Sequence, residues 1–201
     1  MLFRSPEPVV VEQPAPPAAP PPRGYSFGAA AGWAAVIDGA REPVQQGLAV
    51  AVSVENAYGR AALEGILGLP VTMADGLTSV DVARHSAGVR LDWIPLRRDA
   101  LSVSLGAGAG VVAFARSAAV ALSPDIDPAP AQATFAFYAS PELAAAWRPL
   151  RAPLWLELAL GADFVAGAPT LGYRKSGLFA ATDHFWPVEP RAAISLVLLE
   201  K

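Results

Sequence analysis

The chain has 201 residues, of which 53% are hydrophobic and only 16% charged, with a net charge of −3 and no cysteine. A typical soluble domain carries roughly 25% charged residues, so the side chains that keep a surface wet are in short supply. The charge balance excludes a basic nucleic-acid footprint, and the missing cysteines exclude disulfides, thiol catalysis and thiolate metal sites.

Met1 to Pro6 contain no apolar stretch of signal-peptide type, so export requires a trimmed or mis-assigned start, or a longer parent chain. Pro6 to Arg23, with the run Pro20-Pro21-Pro22, favours an extended polyproline conformation with no core of its own. Residues 1–24 are therefore expected to form a disordered leader, or a periplasmic linker to the cell wall or an upstream domain.

From Tyr25 onward apolar residues recur with period two, the signature of strands. The first stretch sets Tyr25, Phe27, Trp33 and Ile37 against Ser26, Gly28, Gly32 and Ala34. The second sets Leu48, Val50, Val52 and Val54 against Gly47, Ala49, Ala51 and Ser53. A third is weaker: Leu63, Leu67 and Leu69 oppose Ala62, Glu64 and Gly68, and Ile66 breaks the pattern. In the fourth, Ala87, Val89, Leu91 and Trp93 alternate with Ser86, Gly88, Arg90 and Asp92. The fifth opposes Leu101, Val103, Leu105 and Val111 to Ser102, Ser104, Gly106, Gly108 and Gly110. Phe135, Phe137, Leu143 and Trp147 mark the sixth, Leu154 to Phe164 the seventh, and Ala192 to Leu198 the eighth.

Each stretch has the ~10 residues a tilted strand needs to cross a bilayer. Charge-free runs such as Tyr25 to Ile37 and Leu101 to Ala115 fall short of the ~18 residues of a membrane helix. The links alternate in length. Asn56 to Gly59, Pro95 to Asp99 and Pro149 to Pro153 are tight, whereas Asp38 to Val44, Pro70 to Thr78, Arg116 to Gln132 and Gly167 to Pro187 are long. This is the rhythm of an up-and-down outer-membrane barrel with both chain ends on the periplasmic side.

A soluble, lipocalin-like ligand carrier would show the same parity with its apolar face inward. Residue size separates the two. The less apolar face is built of Gly, Ala and Ser rather than Lys, Glu, Gln and Thr, which suits the interior of a narrow barrel better than a wetted surface. The expected fold is thus an all-β, up-and-down antiparallel transmembrane barrel of about eight strands over 25–201, in the outer membrane and monomeric. Tyr25, Trp93, Trp147 and Trp186 are placed as interfacial aromatics. Trp93 and Trp147 have a core position as their alternative.

In strand number and loop alternation, Tyr25 to Lys201 resemble the small outer-membrane barrels of the OmpA transmembrane-domain and OmpX type. The chain departs from that pattern at its end, Leu196-Val197-Leu198-Leu199-Glu200-Lys201, where such barrels commonly finish on an aromatic residue. The resemblance implies a charged, salt-bridged interior. Parity places Glu64, Arg84, Arg90, Asp92, Glu142, Glu157, Asp163 and Arg191 in the lumen. Arg84, Asp163 and Arg191 should lie in the long-loop half, and Glu64, Arg90, Glu142 and Glu157 in the other. Ion pairs within each layer are expected, because unpaired charges in so tight a space are costly. The result would be a plugged lumen and not an open channel.

Some small outer-membrane barrels are lipid acyltransferases or deacylases, so serine catalysis is the alternative function. It would need a histidine and an acid within reach of the nucleophile. The chain has His85, beside Ser86 in sequence, and His184, beside Asp183 and near Thr182 and Ser176, with no nucleophile motif. Asp125 and Asp127 fall short of the six to eight oxygens that calcium takes, and no cofactor is expected. Tyr173, Arg174, Lys175, Phe179 and Phe185, on the last long loop, combine aromatic and cationic side chains suited to recognition, with lipopolysaccharide phosphates as a candidate partner beside membrane lipid.

Overall fold

The computed structural model describes residues 24–40, 44–127, 129–149, 153–175 and 178–200. The expected leader lies outside them except for Gly24. Among the described residues the regular structure is strand throughout, and no helix is long and apolar enough to cross a membrane.

Eight long strands form a closed antiparallel barrel. They are β1 (Ser26–Ile37), β2 (Val44–Glu55), β3 (Gly59–Gly68), β5 (Thr78–Arg97), β6 (Leu101–Arg116), β9 (Gln132–Trp147), β10 (Leu154–Ala166) and β13 (Val188–Glu200). Each pairs with its sequence neighbour. β3 meets β5 from Gly59↔Trp93 to Ile66↔Ser86, and β1 closes the ring on β13 from Phe27↔Glu200 to Val36↔Arg191. Closure leaves none of the eight strands with an unpaired edge along its barrel length.

The turns at one end are tight and have a local cause. Asn56 Oδ1 accepts hydrogen bonds from the amides of Tyr58 and Gly59 at 2.8 and 3.0 Å, an Asx turn that reverses β2 into β3. Three of the four links at the other end, expected as long loops, contain short strands of their own among the described residues. β4 (Val71–Ala74) and β7 (Val120–Ala121) extend the β5 side of the barrel. β8 (Ile126–Asp127), β11 (Thr170–Lys175) and β12 (Leu178–His184) form a separate three-stranded sheet. Segments of two to seven residues carry too few alternations to stand out from loop in the sequence.

Parity is kept around the ring, with the large apolar residues pointing away from the centre. On β9, Phe137 is 71% exposed while Tyr138, its neighbour, is 4% exposed. Leu91, Leu158 and Leu196 are exposed in the same sense, while Arg90 and Glu157 are buried. A soluble barrel would need the reverse orientation. Ile66 has a simple explanation: it faces inward and is buried, and Gly65 takes the outward position between the exposed Leu63 and Leu67. Glycines on the inward face make room for larger neighbours. A Cβ on Gly110 would stand 2.8 Å from Tyr138 Cε1 and collide with the Ala87 carbonyl, and one on Gly88 would collide with the Tyr138 hydroxyl.

Toward the long-loop end the inward face changes from polar to apolar. Met73, Val82, Val112, Phe114, Tyr138, Val165 and Phe185 form one buried cluster with Ala40 and Ala136. The Phe114 and Phe185 rings lie 4.5 Å apart, so the loop entering β13 is folded onto the barrel mouth. This cluster is the apolar core of the molecule and lies above its charged interior.

Candidate functional site

The inward charges sit in two layers joined by one arginine. In the layer nearer the short turns, Arg60 bridges Asp92 at 2.6 Å and Glu157 at 2.7 Å. Arg90 bonds Glu142 and lies 3.1 Å from Glu64, 3.3 Å from Asp92 and 3.8 Å from Glu157. Arg191 donates to Glu142 at 2.8 Å, with Glu64 and Asp163 each at 3.6 Å, and so connects the layers. In the layer under the apolar cluster, Arg84 bonds Asp163 at 2.7 Å and Glu189 at 2.9 Å. The Arg84 amide also donates to Gln45 Oε1 at 3.0 Å.

The structure brings together all eight residues that parity assigned to the lumen, and it adds Arg60, Asp38 and Glu189. Each of the three was legible by extending an inward parity by one step. Arg60 precedes Ala62 and Glu64, Asp38 follows Ala34 and Val36, and Glu189 precedes Arg191. Turn residues hid them. Asn56 and Gly59 made the start of β3 look like turn, and Pro187 and Pro190 did the same for β13.

These charges lie almost wholly out of solvent, since the side chains of Arg84, Asp163 and Glu189 are at most 1% exposed. Desolvation costs several kcal/mol per ion, offset only when geometry is good and the remaining lone pairs are satisfied. Planar guanidinium groups meet that demand because each presents five donors in a fixed fork. Every luminal cation named here is an arginine, and each engages at least two carboxylates. The walls opposite are small: Ala30, Ala49, Ala51 and Ser195 line the space that the long side chains cross.

The histidines stand elsewhere. His85 Nδ1 accepts from the Gly68 amide at 3.2 Å, and His184 Nδ1 lies 3.2 Å from Thr170 Oγ1 in the exposed outer sheet. Ser176 and the Thr182 side chain lie outside the described residues. Asp127 pairs in register with Arg174 across β8 and β11.

Tyr25, Trp93, Trp147 and Trp186 are all exposed, Trp93 by 60% and Trp147 by 53%, which removes the core alternative for these two; Trp186 lies at the mouth, in the segment entering β13. Arg174 and Lys175 are exposed on β11 and Tyr173 is half-buried, while the Phe179 side chain lies outside the described residues. Phe185 departs from its expected place on an exposed recognition loop. It is 5% exposed, because its ring has a better partner in Phe114 than in water.

No protein-family model matches the sequence, and no curated protein sequence matches it. Solved structures do. The chain is similar to Ail, the attachment invasion locus protein of Yersinia pestis, solved with the heparin analogue sucrose octasulfate, at 9% identity and a TM-score of 0.56, over 88% of this chain and 99% of that one. Neisserial surface protein A superposes with a TM-score of 0.55 at 8% identity, over 87% and 96% of the two chains. A major outer membrane protein from Thermus thermophilus gives 0.57 at 14% identity, over 88% and 99%. At such identities the likeness is one of fold, and the fold is that of the small eight-stranded outer-membrane barrels.

Proposed function

We propose that the protein resides in a bacterial outer membrane as a monomeric, plugged barrel, with a structural or surface-recognition role and no channel activity. The observation that carries the reading is the combination of an apolar outer wall with an interior filled by paired charges and capped by the Phe114–Phe185 cluster. An outward apolar band suits acyl chains and would be a severe aggregation liability in water. The short turns then face the periplasm and the outer sheet faces the exterior.

Exposed Arg174 and Lys175 on that sheet suit anionic groups at a cell surface, lipopolysaccharide phosphates among them. The polysulfated sugar bound to Ail is a ligand of the same charge class on the same fold.

Refolding into vesicles tests the reading. The protein should require detergent or lipid to stay folded, migrate differently on gels before and after boiling, and leave planar bilayers without a stable conductance. Folded, detergent-free monomer or an open pore of porin size would refute it. Charge reversal at Arg174 and Lys175 should weaken binding to lipopolysaccharide-containing vesicles without changing folding.

A further inference from the structure

The layer beneath the apolar cap is unbalanced. Asp38, Asp163 and Glu189 are each 0% exposed, and Arg84 is the cation that bonds among them. Arg191 reaches Asp163 only at 3.6 Å, and its closest bond is to Glu142. Asp163 and Glu189 are also direct cross-strand neighbours between β10 and β13, a like-charge placement that destabilises when both are ionised. Even with Arg191 counted, at least one negative charge in this layer therefore lacks a matching positive one among the described residues.

A second observation concerns hydrogen bonds. Asp163 Oδ1, Glu189 Oε1 and Arg84 Nη1 are buried and have no hydrogen-bond partner among the described residues, and the buried Asp38 Oδ2 and Gln45 Nε2 have at most the interaction of their own two side chains. Three are acceptors and two are donors. A bare metal ion would satisfy the oxygens, be repelled by Arg84 Nη1 and offer nothing to Gln45 Nε2. Water and a bound proton serve both kinds, since a protonated carboxyl donates and water does both.

We infer that this layer is a hydrated proton-binding site: Asp38 and Glu189 together hold one proton at neutral pH, and its loss loosens the cap over the lumen. The coupling runs through Asp38. Its backbone carbonyl accepts the Trp186 amide at 2.7 Å, and its Oδ1 accepts the Ala40 amide at 3.1 Å. Ala40 and Phe185 belong to the cap, and Trp186 packs against Gly39, whose φ of +76° and lack of a Cβ admit the indole. A charge at Asp38 thus acts directly on both chain segments that close the mouth. Gln45 on β2, Arg84 on β5 and Glu189 on β13 interact with its carboxyl, and Tyr138 on β9, Asp163 on β10 and Arg191 on β13 lie around Arg84 in the same part of the lumen; of these only the two arginines are cationic. Burial also pushes the Asp38 carboxyl, just beyond the end of β1, above its ordinary value.

Infrared spectroscopy of the refolded barrel tests this. At neutral pH the wild type should show the carbonyl band of a protonated carboxyl, shifted in deuterated buffer and lost on raising the pH. Its loss should coincide with faster protease cleavage between Ala166 and Val188. Asp38→Asn or Glu189→Gln should remove the band at neutral pH, and Glu157→Gln should not. The inference is overturned by a wild type without the band at neutral pH, by a band that survives both substitutions, or by cleavage that ignores its loss. If neither variant refolds, the wild-type band and its alkaline loss together with cleavage decide the matter alone. Stabilisation by sodium or potassium with no band would assign the counter-charge to a small cation and likewise overturn it.

Discussion

Replacing Arg84 with methionine separates two ways of valuing the luminal network. Arg84 touches two carboxylates, whereas Arg90 touches four. Counting contacts makes Arg90 the more important residue. Counting orphans reverses the order. Without Arg90, Glu142 keeps Arg191 at 2.8 Å, Asp92 and Glu157 keep Arg60 at 2.6 and 2.7 Å, and Glu64 alone is reduced to the 3.6 Å approach of Arg191. Without Arg84, Glu189 keeps no arginine among the described residues, and Asp163 keeps only the 3.6 Å approach of Arg191. An uncompensated buried charge costs about 3–5 kcal/mol, against about 1.5–3 kcal/mol for a lost charge-assisted hydrogen bond whose acceptor keeps other donors. At alkaline pH, where the Asp38–Glu189 proton is gone, R84M should therefore destabilise the barrel by ~3–5 kcal/mol and R90M by ~1.5–3 kcal/mol. Adding Glu189→Gln to R84M should return ~1–3 kcal/mol, because it removes the orphan itself. Urea unfolding in vesicles, followed by tryptophan fluorescence and by heat-modifiable migration, measures all three. An R84M penalty below that of R90M, or a double variant no more stable than R84M, would refute the orphan argument.

Three further outcomes follow from the same geometry. Leu160, exposed in the middle of β10, should tolerate arginine poorly in vesicles, by ~2–4 kcal/mol if it faces the bilayer centre; a neutral effect would argue for water on that face. Gly110→Ala should lower the urea midpoint by an amount equivalent to ~1–3 kcal/mol, since its Cβ meets the Ala87 carbonyl and the Tyr138 ring; an unchanged midpoint would mean the β5–β6 ladder yields freely. The Asp38 carboxyl binds its proton more tightly folded than unfolded, so its contribution is complete below the unfolded value of about 4 and is lost as pH rises through the folded value. Wild-type stability should accordingly fall across that window relative to D38N, and parallel pH profiles would remove Asp38 from the account.

The sequence made the barrel readable because its wall obeys a single rule at high amplitude. Where Leu48, Val50 and Val52 alternate with Gly47, Ala49 and Ala51, side-chain size alone reports which face is outside. The rule weakens where the chain leaves the wall. β5 runs for twenty residues, but only Ser86 to Trp93 are cleanly periodic; Val82, Ala83 and Arg84 are buried in succession, Val82 in the apolar cluster and Arg84 in the ion network. Phe185 was unreadable for a related reason. Its partner Phe114 lies 71 positions away in the chain, and no local pattern announces a contact of that range. The charges were the reverse case, since an ionic residue on a small-residue face has few places to go but inward.

The network bears on register as well as stability. In an antiparallel wall, a slip of one residue turns every side chain to the other face. A barrel with a merely small and apolar interior would resist such a slip weakly, because Ala and Gly are tolerated on both sides. Here a one-residue slip of β10 against β9 and β13 would direct Glu157 and Asp163 toward lipid and strip Arg60 and Arg84 of partners on that strand. A charge on the lipid face costs about 2–4 kcal/mol for Arg or Lys at midplane and less for Asp or Glu, to which the orphaned arginines add their own desolvation. Because Arg90 and Arg191 each touch carboxylates on two or more other strands, none of β3, β5, β9, β10 and β13 can slip without breaking bonds to others of the five. The interior charges thus act as a register key for a wall whose small residues could not supply one.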